Sequence, residues 1–96
     1  MSLQELLKSD AVIIDVRTSN EYLGGHAAAS KNIPLQQLHQ NLEMLKSIQK
    51  PIVLCCASGT RSDIAAKFLN NHGINAVNAG SWLDVNNVQS QKSMQE

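Results

Sequence analysis

An α/β domain with a mostly parallel central sheet and helices on both faces is the fold class that this sequence predicts. Three observations carry it. Ala11–Ile14, Ile52–Cys55 and Ile74–Val77 are short apolar runs rich in β-branched residues, suited to strands covered on both faces. Between them lie stretches with helix starts, helix stops and apolar residues at three- and four-residue steps. Alternation of strand and helix within ninety-six residues calls for crossover connections, and so for parallel pairing around one core. The domain is expected over residues 1–85, followed by a polar, frayed tail over 86–96.

Element by element, Ser2-Leu3-Gln4-Glu5 has capping-box spacing ahead of Leu6 and Leu7 and predicts an opening helix. The first strand follows and ends at Asp15-Val16-Arg17. Thr18 to Glu21 repeats the capping-box pattern, so a short helix starts there and stops at Gly24-Gly25. Asn32-Ile33 reads as a brief strand, with Pro34 at the first turn of the next helix. Leu35, Leu38, Leu42 and Leu45 give that helix its apolar face, and Lys50-Pro51 ends it. After the Ile52–Cys55 strand and a loop, a helix runs to about Asn71 and stops at His72-Gly73. Ile74 to Val77 forms the next strand, Ala79-Gly80 turns the chain, and Ser81 to Val85 makes one last helical turn. From Asn86 the chain is Asn, Gln, Ser, Lys and Glu with little to bury.

Composition narrows the functions. Eight basic and eight acidic residues leave no net charge, and the only aromatics are Tyr22, Phe68 and Trp82, which argues against a nucleic-acid surface. No apolar stretch approaches the roughly 20 residues of a membrane span. The N-terminus lacks the basic start and apolar core of a signal peptide, so the chain is expected in the cytoplasm, or in the periplasm if a leader has been removed. The two cysteines are adjacent, so no disulfide framework is expected, and no Cys/His spacing suggests a metal.

The most informative segment is Ile52-Val53-Leu54-Cys55-Cys56-Ala57-Ser58-Gly59-Thr60-Arg61-Ser62, read as strand, tight loop and helix start. Such a loop turns backbone N–H groups toward one point, where the helix dipole is positive. A thiol placed there has its anion stabilised, which makes Cys56 a candidate nucleophile. Gly59 allows the positive φ of an anion nest, and Arg61 brings a planar cation suited to an oxyanion. Cys55, one residue back in the strand, points away into the core.

Cys56-Ala57-Ser58-Gly59-Thr60-Arg61-Ser62 resembles the active-site loop of the rhodanese-like sulfurtransferases. Other stretches match that family in order: Ile14-Asp15-Val16-Arg17 before Glu21-Tyr22, Gly25-His26, Asn32-Ile33-Pro34, and Asn78-Ala79-Gly80 before Trp82. The resemblance covers about residues 3 to 85 and is nearest to the small single-domain members, including those like phage-shock protein E. It implies that the Cys56 thiolate takes the outer sulfur of thiosulfate or another small anionic donor, becomes a persulfide and releases sulfite. Cyanide or a thiol, a protein thiol included, then removes the sulfur, with no cofactor. Ala57, Ser58, Gly59, Thr60, Arg61 and Ser62 would bind the donor and hold the persulfide anion. Ser62 either caps the helix or donates to the sulfur. The chain departs from the family at Ala27-Ala28-Ala29-Ser30, where a glycine is usual, and at Ala79, where a second glycine often stands beside Gly80.

Asp15 and Arg17 either line a charged rim or hold the strand ends, with Arg17 paired to Glu21 or Asp15 tying down the loop. Arg61 either faces the donor or turns back to an acid such as Asp63. His26 reads as a hydrogen-bonded turn residue, His39 and His72 as helix surface, and Trp82 as a core plug or a pocket wall. Two other functions compete. Counting from Cys55 to Arg61 gives the wider loop of cysteine phosphatases and arsenate reductases, but the glycine then falls out of register. A non-catalytic partner-binding module is the other, and retention of the cysteine speaks against it.

Overall fold

The computed structural model describes residues 2–95, with side chains for residues 2–91. Its elements in chain order are α1 (Leu3–Lys8), β1 (Val12–Asp15), α2 (Ser19–Leu23), β2 (Lys31–Asn32), α3 (Leu42–Ser47), β3 (Ile52–Cys56), α4 (Thr60–Asn71), β4 (Ala76–Ser81) and α5 (Trp82–Gln95). The four strands form one parallel sheet in the order β2-β1-β3-β4. β3 lies inside it and is buried along its whole length, which accounts for its uninterrupted apolar sequence.

Alternation along the strands builds two cores. Ile14, Val16, Ile52, Leu54 and Cys56 pack with Leu38, Leu45, Ala65 and Leu69 on the face covered by α3 and α4. Ile13, Val53 and Cys55 face the other way, toward Leu6 of α1 and Val85 and Trp82 of α5. Adjacent cysteines thus belong to opposite cores. Both expected capping boxes are present: Ser2 and Thr18 each accept from the N–H three residues on, and Glu5 and Glu21 reach back.

Three stretches differ from the sequence reading. Leu35 to Ser47 is not one helix but two 3-10 turns, Leu35–Gln37 and His39–Asn41, followed by α3. The Asn41 side chain donates to the Gln37 carbonyl at 2.8 Å, taking the acceptor that an α-helix would give to its own N–H. The leucine face survives, with Leu38 and Leu45 buried. β4 begins at Ala76, later than expected, and runs through the supposed turn. Leu54 pairs with Asn78 but Cys56 with Ser81, so β4 carries one extra residue, a bulge at Ala79-Gly80. Finally, α5 continues to Gln95 where one turn and a frayed tail were expected. It presents only a few apolar side chains to the core, among them Trp82 and Val85, so its sequence reads as polar.

The departure at Ala27-Ala28-Ala29-Ser30 has a measurable consequence. Ala29 has φ 61°, the left-handed conformation that a glycine adopts without steric penalty. Ala29→Gly is therefore expected to raise stability by about 0.5–1 kcal/mol, or a few degrees in thermal unfolding. An unchanged or lower melting temperature would show that Ala29 is unstrained.

Candidate active site

The site lies at the carboxyl end of β3, where the strand ends and α4 begins. Gly59 is the N-cap of α4 with φ 100°. A Cβ there would stand 3.3 Å from the Gly80 Cα at the bulge of β4, so both the dihedral and the space call for glycine. This backbone turns N–H groups onto the cysteine. Cys56 Sγ accepts from Gly59 N–H at 3.0 Å and from Ser62 N–H at 3.4 Å, and the Ser62 hydroxyl lies at 3.4 Å. Ala57, Ser58 and Thr60 form the exposed lip, while Cys56 is 1% exposed at the bottom.

Burial pushes the Cys56 thiol up, but the Ser62, Gly59 and Ser58 amides, together with the Ser62 hydroxyl when its hydrogen faces sulfur, outweigh it. The net effect holds the thiol below its ordinary value. Cys55 has no such donors. Burial, with a smaller push from Asp15, raises its thiol to about 12. The two neighbouring cysteines thereby differ in acidity, the Cys56 thiol held down and the Cys55 thiol pushed up.

Ser62 does not cap the helix; Gly59 does, by its backbone alone. The Ser62 Oγ is 2.6 Å from Asn78 Oδ1 and 3.2 Å from the Gly59 carbonyl, besides its contact with sulfur. Asn78 joins β4 to the loop, with Nδ2 donating to the Gly59 carbonyl at 3.1 Å.

The charged residues pair differently from the sequence reading. Arg17 does not reach Glu21. It donates from Nε and Nη2 to both oxygens of Asp15 at 2.8–3.0 Å, and from Nη2 to the Gly25 carbonyl at 2.7 Å. Its guanidinium lies over Trp82, 4.9 Å from the ring centroid. Asp15 and Arg17 are buried, so they brace the strand ends beneath the loop and do not form a rim. Glu21 belongs to Arg61, whose Nη1 and Nη2 donate to its two carboxylate oxygens at 2.7 and 3.0 Å. Asp63, the acid suggested for Arg61, pairs with Lys67. The Arg61 hydrogen bond and the Thr18 amide hold the Glu21 carboxyl down at about 2, so the pair stays charged.

Glu21 and Asn78 are the residues that sequence reasoning missed. Glu21 was assigned a capping role, which it fulfils, but its contact with Arg61 spans 40 positions and leaves no local pattern. Asn78 stood in a recognised stretch without a role. Of the other candidates, His26 stacks on Tyr22 with ring centroids 3.8 Å apart, and its Nδ1 lies 2.7 Å from the Tyr22 carbonyl, a turn residue. Trp82 packs in the α1/α5 core. Among the described residues no helix is long and apolar enough to cross a membrane.

Comparison with known proteins gives the same fold. A rhodanese-like domain protein from Staphylococcus aureus superposes with a TM-score of 0.73 at 28% identity, covering 86% of each chain. A rhodanese-related protein from Thermoplasma volcanium gives 0.75 at 31% identity, over 91% of this chain and 85% of that one. In sequence, the uncharacterized protein YqhL of Bacillus subtilis is 43% identical over 63 residues, 66% of this chain and 49% of its own length. A Salmonella tRNA uridine(34) hydroxylase is 37% identical over 73 residues, 71% of this chain and 21% of that enzyme. The chain thus spans about half or less of the length of these curated relatives. The sequence model of the Rhodanese-like domain matches residues 2–87, nearly all of the sheet and its helices, and the chain belongs to that family.

Proposed function

We propose that the protein is a sulfurtransferase that carries a sulfane sulfur on Cys56. The observation that supports this most is the Gly59 N–H at 3.0 Å from Sγ, with the Ser62 N–H behind it, a cradle for a sulfur anion. The thiolate attacks the outer sulfur of thiosulfate, forming an S–S bond while the donor's own S–S bond breaks. Sulfite leaves with the electron pair, and the persulfide anion remains in the loop. A cyanide or thiolate acceptor then takes the outer sulfur and returns Cys56 as thiolate. Intact-mass spectrometry tests the reading: thiosulfate should add one sulfur that cyanide removes. A protein that stays unmodified by thiosulfate and by a persulfide donor would reject it.

Arg61 is proposed as the donor's cation, although its fork is engaged by Glu21, so the donor competes with a carboxylate. Two variants should therefore move donor use in opposite directions. Arg61→Ala should lower thiosulfate efficiency by about ten- to a hundredfold. Its melting temperature should barely change, because the pair is only half-buried and an ion pair screened by water stabilises little. Glu21→Gln retains a side chain able to complete the capping box and frees the guanidinium, so the KM for thiosulfate should fall severalfold. A sharp loss of melting temperature in Arg61→Ala, with unchanged donor efficiency in the folded remainder, would assign Arg61 to the scaffold. The cysteine-phosphatase reading has less support, since its nucleophile would be Cys55, buried in the opposite core.

A further inference from the structure

Asn78 closes a hydrogen-bond network on the reactive sulfur. The orientation of its amide is set by two partners. Nδ2 donates to the Gly59 carbonyl at 3.1 Å, and Oδ1 accepts from Gly80 N–H at 2.8 Å. Turned over, the amide would set acceptor against acceptor and donor against donor. Oδ1 therefore meets the Ser62 hydroxyl, 2.6 Å away, as an acceptor, and Ser62 must supply the hydrogen. A serine hydroxyl has only one. Cys56 Sγ at 3.4 Å and the Gly59 carbonyl at 3.2 Å compete for that hydrogen from farther off.

We propose that Asn78 is a positioning residue for Cys56: it holds the Ser62 hydroxyl away from the sulfur and so opposes formation of the thiolate until the hydroxyl turns. In the first orientation Ser62 donates to Asn78 and offers a lone pair to the Cys56 S–H, which suits the thiol. In the second the hydrogen faces sulfur, which suits the thiolate, and Oδ1 keeps only the Gly80 N–H. The hydroxyl keeps its proton throughout; the only proton released is that of Cys56. The inference rests on the functional reading only in taking Cys56 as the reactive thiol.

Other titratable groups stand on the elements packed around this sulfur. They are Cys55 beside it on β3, the Asp15–Arg17 pair at the end of β1, and the Glu21–Arg61 pair from α2 and α4. Asp63 and Lys67 pair along α4, and Asp84 of α5 lies beside Gly80. All are common to the variants needed, so a double-mutant cycle removes their contribution.

The test is the pH dependence of Cys56 alkylation by iodoacetamide, read by peptide mass. It compares the unaltered chain with Asn78→Ala, Ser62→Ala and the double variant, each confirmed folded by circular dichroism. Losing the Gly59 contact affects Asn78→Ala in both backgrounds and cancels. The expected result is that Asn78→Ala moves the inflection to lower pH with Ser62 present, relative to its effect in the Ser62→Ala background, by about half a pH unit or more. No coupling, or coupling of the opposite sign, would overturn the proposal. Asn78→Asp gives a second reading, because a carboxylate is the stronger acceptor for the Ser62 hydrogen. Its inflection should rise further with Ser62 present than absent; equal rises would reduce the effect to charge alone and overturn the role assigned here. Alkylation needs no sulfur donor, so a failure here is distinct from a failure of the sulfurtransferase reading.

Discussion

Cys56→Ser is expected to abolish sulfur uptake, and Cys55→Ala to leave most of it. The expected drop for Cys56→Ser is on the order of a thousandfold or more, the scale on which loss of a covalent nucleophile acts. A serine oxygen in the same cradle stays protonated and forms no persulfide, so the mass shift after thiosulfate should vanish with the rate. Cys55→Ala removes a sulfur that packs against Val53 and Val85, away from the loop. With its thiol pushed up to about 12, Cys55 offers almost no thiolate at neutral pH. Its loss should appear as a modest fall in melting temperature with donor kinetics intact. The reverse pattern, an inactive Cys55→Ala and an active Cys56→Ser, would move the chemistry to the other core and restore the wider loop.

The second large effect is on stability. Asp15→Ala leaves the Arg17 guanidinium buried over Trp82 with only the Gly25 carbonyl for company. Breaking a buried pair from one side typically costs about 3–5 kcal/mol, against a total of about 5–15 kcal/mol for a domain. The melting temperature should fall by more than about 10 °C. Asp15→Asn, which keeps the shape and an acceptor for the Arg17 N–H, should fall less. A change of under about 1 kcal/mol in Asp15→Ala would show that Arg17 finds water or another partner at no loss. Because Asp15 pairs in register with Cys55, the strand that carries the loop should loosen with it.

What was legible followed from the range of each interaction. Capping boxes, the buried β-branched strands and the cysteine loop are local patterns, and Thr18 with Glu21 or Ile52 with Cys56 state them within a few residues. That Cys55 and Cys56 face opposite ways was legible too, because strand alternation sends neighbours to opposite faces. Pairings across the fold were not. Arg17 had Glu21 on the next turn and Asp15 two residues back, and only the folded backbone decides that Asp15 takes it. Arg61 then meets Glu21 across the mouth of the site. The Leu35–Leu45 periodicity located the buried face correctly but concealed the competition of Asn41 for a carbonyl, which breaks the helix. In α5 the signal was too thin, since a helix that buries few apolar side chains resembles a solvated tail.

Placing two cysteines next to each other on one strand also bears on how the proposed sulfur-loaded form would be emptied. Many thiol enzymes release their cargo through a second cysteine that attacks the first and leaves an internal disulfide. Here the only other thiol is on the far side of the sheet, protonated and walled off by Val53 and Val85. No rotation of side chains brings it round, because the backbone between the two residues is a paired strand. A sulfur carried on Cys56, as proposed, would find no exit through Cys55. On the proposed reading its lifetime would be set by the arrival of an outside nucleophile at the lip formed by Ala57, Ser58 and Thr60, and the loaded form would act as a store that discharges only on contact.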